Sequence, residues 1–364
     1  DGLLLGFAHA GAFGIYQDAS NASRALVSLT NGLTVNGSGA VINVSANASA
    51  HGATTSGGGH LVNVFDVALA SVGNPGNFAI SQNATGNGVP TAVASANISN
   101  QGTINLKAHA NATALGSALA EAEVFGIFQS AGWQAGSANI GLVNATGAVI
   151  SETAKATALA TGAFGGAGAG AIAVGIVQSG SAWSTVFGTG TAAHVHLTNA
   201  GEINVAAVAS AVASSIAIAI AEAAGIQQSA FAGFTATAQL FNSSNIHVSA
   251  NAAASAFFFA EAEAIALGIA QTADGASFTS SLANVLAVNK DTITVEAHAF
   301  ASASFEGIAI AEPVFGVFQS AYGADFAGAE FVNGTTSGTT PHPDARLHVS
   351  GTAFAAGSIA EAFV

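Results

Sequence analysis

Small and large side chains alternate along much of this chain, and this alternation restricts its fold more than any other feature. In residues 203–230, one set of alternate positions is almost entirely alanine, whereas the other set carries valine, isoleucine, serine and glutamate. A period of two is typical of a β-strand, whose successive side chains point to opposite faces. A face lined by alanine predicts that a second layer lies close by, because protein interiors are tightly packed.

A helix is the alternative interpretation of the alanine runs, since alanine is the best helix former. However, the polar residues fall at even spacing rather than on one helical face. Glu–Lys pairs that would support a helix are absent, because the chain holds only 5 Lys+Arg. Gly, Ser, Thr, Asn and β-branched residues also interrupt the runs, which disfavours a helix. We therefore predict an all-β fold.

A short motif, Gly or Ala followed by Ile or Val, any residue and Gln, recurs along the whole chain. After a first interval of 65 residues, its copies follow at steps of 47, 49, 50, 43 and 48 residues. A second motif, an Asn- or Gly-marked turn leading into Ile/Leu-x-Val/Leu, recurs between them. Its first copy lies at 33–35, and its copy at 149–150 is degraded. Two motifs that share one period indicate a repeat architecture.

We interpret the chain as a single array, residues 1–364, forming a parallel β-solenoid (β-helix) of about seven ~48-residue modules around a thin alanine-lined core. Each module is expected to be one flat coil of two long facing sheets, and the alternative is two ordinary coils per module. Positive φ is expected at the Asn or Gly of the turn. The predicted modules are 14–78, with an insertion at 51–77, then 79–125, 126–174, 175–224, 225–267, 268–315 and 316–364, preceded by a partial module at 1–13.

Like residues of successive coils should stack into columns along the axis. The motif glutamines are predicted to form an amide ladder: Gln17, Gln82, Gln129, Gln178, Gln228, Gln271 and Gln319. A second predicted column is acidic: Glu121, Glu123, Glu222, Glu261, Glu263, Glu312 and Glu361. It is a candidate Ca²⁺ site, although solvated or partner-facing carboxylates are the favoured interpretation. The strand halves around these acids are apolar on both sides, which predicts a cover from a second layer or another subunit.

Charge and composition exclude several classes of function. A net charge of −14 argues against nucleic acids and anionic membrane surfaces as partners. The long uncharged run at 156–180 is rich in Gly and Ala, so no membrane-spanning helix is expected. Only 7% of residues are charged, against about a quarter in typical globular domains, which favours an elongated extracellular scaffold.

Side chains that could carry chemistry are few. His194 and His196 would share one strand face and are the best candidate metal ligands, but ordinary outward polar positions are the favoured interpretation. Without a catalytic constellation, we predict no enzymatic activity and no cofactor. Glycans are candidate partners at the Asn-x-Ser/Thr acceptors Asn21, Asn36, Asn43, Asn47, Asn83, Asn97, Asn111, Asn144, Asn242 and Asn333.

The alternating alanine runs, which lead into Gly-Ile-x-Gln-Ser-Ala and then Asn-x-Gly-x-Ile-x-Val, resemble a known class of sequence. They are similar to the Ala/Gly/Asn-rich repeats of large secreted bacterial adhesins and autotransporter passenger regions. The resemblance implies a secreted or cell-surface β-solenoid without enzymatic activity.

These features favour a non-enzymatic structural protein, located outside the cell or on its surface. The sequence shows no polar cap at either end of the array, so we expect copies to stack head to tail into a fibre or filament. The alternatives are the stalk of an adhesin or autotransporter passenger and a carbohydrate-binding β-helix.

Overall fold

The computed structural model describes residues 4–32, 39–51, 64–74, 78–132, 134–183, 190–275, 281–334 and 345–364. Within these ranges all regular structure is β-strand, and every strand pair is parallel. The predicted parallel β-solenoid is therefore confirmed.

The strands, in chain order, are β1 (Leu4–Ala12), β2 (Ile15–Ala22), β3 (Arg24–Asn31), β4 (Val41–His51), β5 (Val64–Val72), β6 (Ile80–Gly86), β7 (Val93–Asn100), β8 (Thr103–Ala114), β9 (Ser117–Gly132), β10 (Ser137–Asn144), β11 (Val149–Ala160), β12 (Gly166–Ala182), β13 (Ala192–Asn199), β14 (Glu202–Ala213), β15 (Ile216–Ala232), β16 (Thr235–Asn242), β17 (Ile246–Ala256), β18 (Phe259–Gly275), β19 (Leu282–Asn289), β20 (Thr292–Ala303), β21 (Glu306–Ile310), β22 (Val314–Tyr322), β23 (Phe326–Asn333), β24 (Arg346–Ala356) and β25 (Ile359–Phe363).

The strands form three sheets, and each coil of the solenoid contributes to all three. Sheet A has 11 strands and follows the order β1-β5-β9-β12-β15-β18-β21-β25, with β2, β6 and β22 beside that path. Sheet B contains β3, β7, β10, β13, β16, β19 and β23, and sheet C contains β4, β8, β11, β14, β17, β20 and β24. The expectation of two facing sheets is therefore wrong, because the return path after sheet A is divided between sheets B and C.

Alanine lines the space between the layers. The first half of each long sheet A strand packs against sheet C through one core cluster, which includes Ala110, Ala120 and Ala156. The second half packs against sheet B through a smaller cluster, which includes Ala131 and Ala138. Methyl side chains allow this close approach because a larger group would not fit at the same packing density. The thin alanine core is thus the element that sets the shape of the coil.

The glycine of the recurring motif bends each long strand between these two halves. In β15 the alternation of buried residues shifts at this point, where Gly225 and Ile226 are both buried. A Cβ atom on Gly225 would lie 2.5 Å from the Gly268 carbonyl oxygen and 2.6 Å from Cγ2 of Val248. Because no side chain fits there, glycine permits the bend, and the bend turns Gln228 inward.

The first interval of the repeat is only partly visible. Its described residues include β5, which takes the second place in sheet A between β1 and β9. Of the insertion predicted at 51–77, only residues 51 and 64–74 are described. The motif at 33–35 lies outside the described residues.

Candidate functional site

The motif glutamines form a continuous hydrogen-bonded ladder along the inner side of sheet A. Gln178 Nε2 donates to Gln129 Oε1 at 2.8 Å, and Gln228 Nε2 donates to Gln178 Oε1 at 2.8 Å. The other rungs, from Gln82 to Gln17 at one end and from Gln319 to Gln271 at the other, span 2.6–2.9 Å. The same amide also donates across the core to sheet B, as Gln228 does to the Gln239 carbonyl at 3.1 Å. The ladder therefore ties successive coils together and ties sheet A to sheet B.

A second ladder, of asparagines, runs along the corner between sheets B and C. Each Nδ2 donates to the Oδ1 of the next asparagine at 2.7–2.8 Å. Its members are Asn31, Asn100, Asn144, Asn199, Asn242, Asn289 and Asn333. The amides also donate to the main chain of the following coil, as Asn144 does to the Glu202 carbonyl at 3.1 Å.

The asparagine ladder corrects an expectation about the turns. Positive φ was expected at the asparagine or glycine of each turn, but the only described non-glycine residues with positive φ are Asn21 and Gln134. Gly147, with φ 77, and Gly334, with φ 115, follow the pattern in two turns. Asparagine occupies this corner because its side chain supplies both a donor and an acceptor, which a ladder of identical residues requires.

The two ladders have opposite directions. In the glutamine ladder each amide donates to the coil that precedes it in the chain, as in Gln271 to Gln228. In the asparagine ladder each amide donates to the coil that follows, as in Asn199 to Asn242. A coil within the array therefore both donates and accepts a side-chain hydrogen bond on the side of the preceding coil, and does the same on the side of the following coil.

The predicted acidic residues lie on the outward side of sheet A but do not form one column. The strand register places Glu121 level with Glu263, Glu123 level with Glu222, and Glu261 level with Glu361. Uncharged residues stand between the two acids at each level, as Gly170 and Ile220 stand between Glu121 and Glu263. Glu312 lies in the link between β21 and β22.

We define the acidic face as the outward side chains of sheet A before the glycine bend. Its titratable residues are His9, Glu121, Glu123, Glu222, Glu261, Glu263, Glu306 and Glu361. Partial burial and, to a smaller extent, Glu121 raise the pKa of Glu123. Partial burial, followed by Glu222 and Glu261, raises the pKa of Glu263. Negative charge at Glu123 and Glu263 is therefore disfavoured in the isolated chain.

We define the histidine face as the outward side chains of sheet C, which lies across the alanine core from the acidic face. Its titratable residues are His51, Lys107, His109, Lys155, Glu202, His247, Glu296, His298, Arg346 and His348. Nε2 of His247, His298 and His348 lies 3.8, 3.6 and 3.8 Å from carboxylate oxygens of Glu296. Burial, with Lys155 and then Lys107, lowers the pKa of His109.

The two histidines considered as metal ligands have other partners. His194 Nδ1 lies 2.7 Å from Thr237 Oγ1, and His196 Nε2 lies 3.1 Å from Thr198 Oγ1. Burial lowers the pKa of His196, whose ring also lies 5.7 Å from that of Phe241. Across all described residues, no group of three or more His, Cys, Asp or Glu side chains is placed to hold a metal ion, in the acidic face or elsewhere.

The asparagine ladder also restricts glycosylation. Asn144 and Asn242 are buried in the ladder, so a glycan could not be accommodated there in the folded chain. Asn43, Asn47 and Asn111 point outward from sheet C and are exposed. Asn36 lies outside the described residues.

Two buried carboxyl groups have no hydrogen-bond partner, and sequence reasoning missed both. They belong to Glu152 in β11 and Asp66 in β5. Glu152 occupies an inward position that valine holds in the three following coils, at Val205, Val248 and Val295. Burial raises the pKa of Glu152 well above its usual range. A closer alignment of the modules would have shown the lone acid among these valines.

Comparison of the chain with protein-family models, curated proteins and solved structures finds no match. Over the described residues, no helix is long and apolar enough to cross a membrane.

Proposed function

We propose that this chain is a non-enzymatic structural protein that works outside the cell or on its surface. Copies stack head to tail through the end coils of the solenoid and form a filament. The observation that carries the proposal is the constant direction of each amide ladder, because a ladder that runs one way leaves a donor at one end of the solenoid and an acceptor at the other. The low charge and the adhesin-like repeats described above support the extracellular location.

The ladder ends specify what each end must meet. At one end, a further coil would accept a hydrogen bond from Gln17 and donate one to Asn31, given the directions of the rungs. At the other end, a further coil would donate to Gln319 and accept from Asn333. One end therefore offers the donor and acceptor that the other end requires, so a second copy continues both ladders without a change of polarity.

Apolar core positions at one end support the same conclusion. Val349 in β24 is 40% exposed, whereas Val295 at the same position of the preceding coil is fully buried. Leu347 and Ile293 show the same contrast. A coil from a second copy would remove this apolar surface from water, at about 25 cal/mol per Å².

The two buried carboxyls support the non-enzymatic part of the proposal. Both Glu152 and Asp66 are fully shielded from solvent, so a dissolved substrate could not reach either group. The buried side-chain amides of the two ladders already hydrogen-bond to one another.

A pair of neighbouring substitutions tests the stacking. Val349→Lys places a charge at the open core position, where a stacked copy would have to bury it. His348→Lys, on the outward side of the same strand, is the matched control. Wild type and H348K should form filaments in negative-stain images, whereas V349K should remain as single particles. If wild type stays monomeric at high concentration, the proposal is wrong.

The strand count adds a condition on the contact. Eight strands follow the main path of sheet A, whereas sheets B and C have seven each. Two copies that meet flush in sheets B and C would therefore place β1 of one copy and β25 of the other at the same level, so flush stacking requires β25 to leave its place on β21. A variant that lacks residues 358–364 removes this overlap, and we expect it to form longer filaments than wild type under the same conditions.

A further inference from the structure

The outward sides of sheets A and C carry opposite charge. The acidic face holds glutamates and the single base His9, whereas the histidine face holds three of the chain's 5 Lys+Arg, namely Lys107, Lys155 and Arg346, beside its histidines. The two faces point in opposite directions, because sheets A and C share the alanine core between them. Such a slab presents complementary surfaces to identical slabs on either side.

We propose that the acidic face of one copy docks on the histidine face of a second copy, with the solenoid axes parallel. The contact is heterologous, so each copy keeps one face open and the association continues into a stack of slabs. This inference extends the proposed filament sideways, and it concerns lateral packing rather than contact between the ends.

Charges on the two faces lie at matching levels along the axis. Glu121 and Glu123 in β9 lie in the same coil as Lys155 in β11. Glu261 and Glu263 in β18 share a coil with His298 in β20. Of the two coils between these regions, β15 to β17 carries Glu222 and His247, whereas β12 to β14 carries Gly166, Gly168 and Gly170 on the outward side of sheet A and therefore no charge at those positions. Parallel copies in register would thus place acids opposite bases in the coils of β9, β15, β18 and β21.

The apolar parts of the two faces also match in shape. Ile216, Ile218 and Ile220 in β15 project from the acidic face and are 47%, 37% and 37% exposed. At a similar level, the histidine face has a shallow depression floored by Val208 and Ala253 and bounded by Lys155 and His298. The isoleucine ridge of one copy fits this depression of the next, and its burial would contribute hydrophobic stabilisation.

The contact area is adequate for a stable association. The main path of sheet A has eight strands, and β1 spans 9 residues. With strands ~4.8 Å apart and ~3.3 Å per residue, the face measures roughly 1,100 Å². Standard protein interfaces bury about 800 Å² per partner, so this face exceeds that area.

The proposed contact depends on pH in a defined direction. Protonation of histidine adds positive charge to the histidine face, but burial, with Lys155 and then Lys107, lowers the pKa of His109 and so delays the gain of charge at that residue. Lys107, Lys155 and Arg346 add positive charge to the histidine face, whereas Glu202 and Glu296 on the same face reduce its net positive charge. On the acidic face, the raised pKa of Glu123 and Glu263 removes part of the negative charge as pH falls. Lateral docking should therefore be strongest at mildly acidic pH, above the range in which Glu123 and Glu263 lose their charge.

Two charge-reversal variants and their mixture provide the test. The first variant, E121K/E123K, reverses the acids that lie level with Lys155, and the second, K107E/K155E, reverses the corresponding part of the histidine face. At pH 6 and low salt, each variant alone should dock laterally about tenfold more weakly than wild type. An equal mixture should recover wild-type docking, because each reversed face then meets its complement on the other variant.

Matched controls carry the same change of charge elsewhere. D18K/E330K changes acids on β2 and β23, and R24E/K290E changes bases on β3 and after β19, all outside the two faces. Both controls should dock as wild type does. Light scattering and sedimentation measure the association, while negative-stain images separate lateral width from filament length. The inference is overturned if filaments of the single variants widen as those of wild type do, or if the mixture fails to recover lateral docking. Filament length reports on the end contact independently.

Discussion

Gln228 and Glu152 are both buried polar side chains, but the fold treats them differently. Gln228 donates to Gln178 and accepts from Gln271, so its polar atoms are satisfied by the same residue type in adjacent coils. Glu152 has no hydrogen-bond partner, since its neighbours in the column are Leu106 and Val205. A solenoid can therefore bury a polar group when every coil repeats it, whereas a single polar substitution in a column is left without a partner.

The largest expected effect comes from interrupting a ladder. Gln228→Leu leaves the Gln178 acceptor, the Gln271 donor and the Gln239 carbonyl without their partner. Orphaned buried groups should lower the free energy of unfolding by about 3 kcal/mol. Urea unfolding measures this loss, and Gln227→Leu on the exposed side of the same strand is the control. Equal losses in the two variants would show that the ladder is not the source of stability.

The opposite result is expected for the carboxyl without a partner. Glu152→Val restores the residue type that fills this column in the following coils. Removal of the buried unpaired group should raise the free energy of unfolding by about 2 kcal/mol at pH 7. Glu202→Val, at an exposed position on the neighbouring strand, should change it little. A loss of stability in E152V would mean that the carboxyl has a favourable role in the fold.

The same residue should give the chain a dependence on pH. Because burial raises the pKa of Glu152, the folded chain holds this proton at pH values where the unfolded chain has released it. The stability linked to this group is therefore complete below the unfolded pKa of about 4.3 and is lost as pH rises toward the folded-state pKa. Wild type should lose up to ~1.4 kcal/mol per pH unit relative to Glu152→Gln over that range. Unfolding curves from pH 4 to 8 measure the difference, and parallel curves for the two proteins would contradict it.

The sequence predicted the period of the fold better than its partition into sheets. Alternation and the Gly-Ile-x-Gln motif indicated a parallel solenoid with an alanine core, because both depend on local backbone geometry. Sheet B was missed as a separate layer, since its strands alternate in the same way as those of sheet C and only the corner at residues such as Asn144 and Asn199 divides them. The corner asparagines were assigned to turn geometry, whereas their side chains form the second ladder. The two faces could be located only after the register showed which residues share a sheet.

Asp66 should show the smallest effect, because it combines a missing partner with a position near one end of the array. The next residue of its column is Ala118, and Gly6 precedes it, so Asp66→Ala removes the unpaired carboxyl without leaving an unfamiliar side chain in the core. We expect a gain of about 1 kcal/mol, seen as slower hydrogen exchange in β5, while coils beyond β12 change little. Asp18→Ala, at an exposed position in β2, should leave exchange in β5 unchanged. Nearest-neighbour coupling between coils explains this restriction, since each coil contacts only the two beside it. If D66A instead slowed hydrogen exchange throughout the array, the coils would unfold as one unit. The difference between buried amides and buried carboxyls would then be a property of the whole solenoid rather than of single columns.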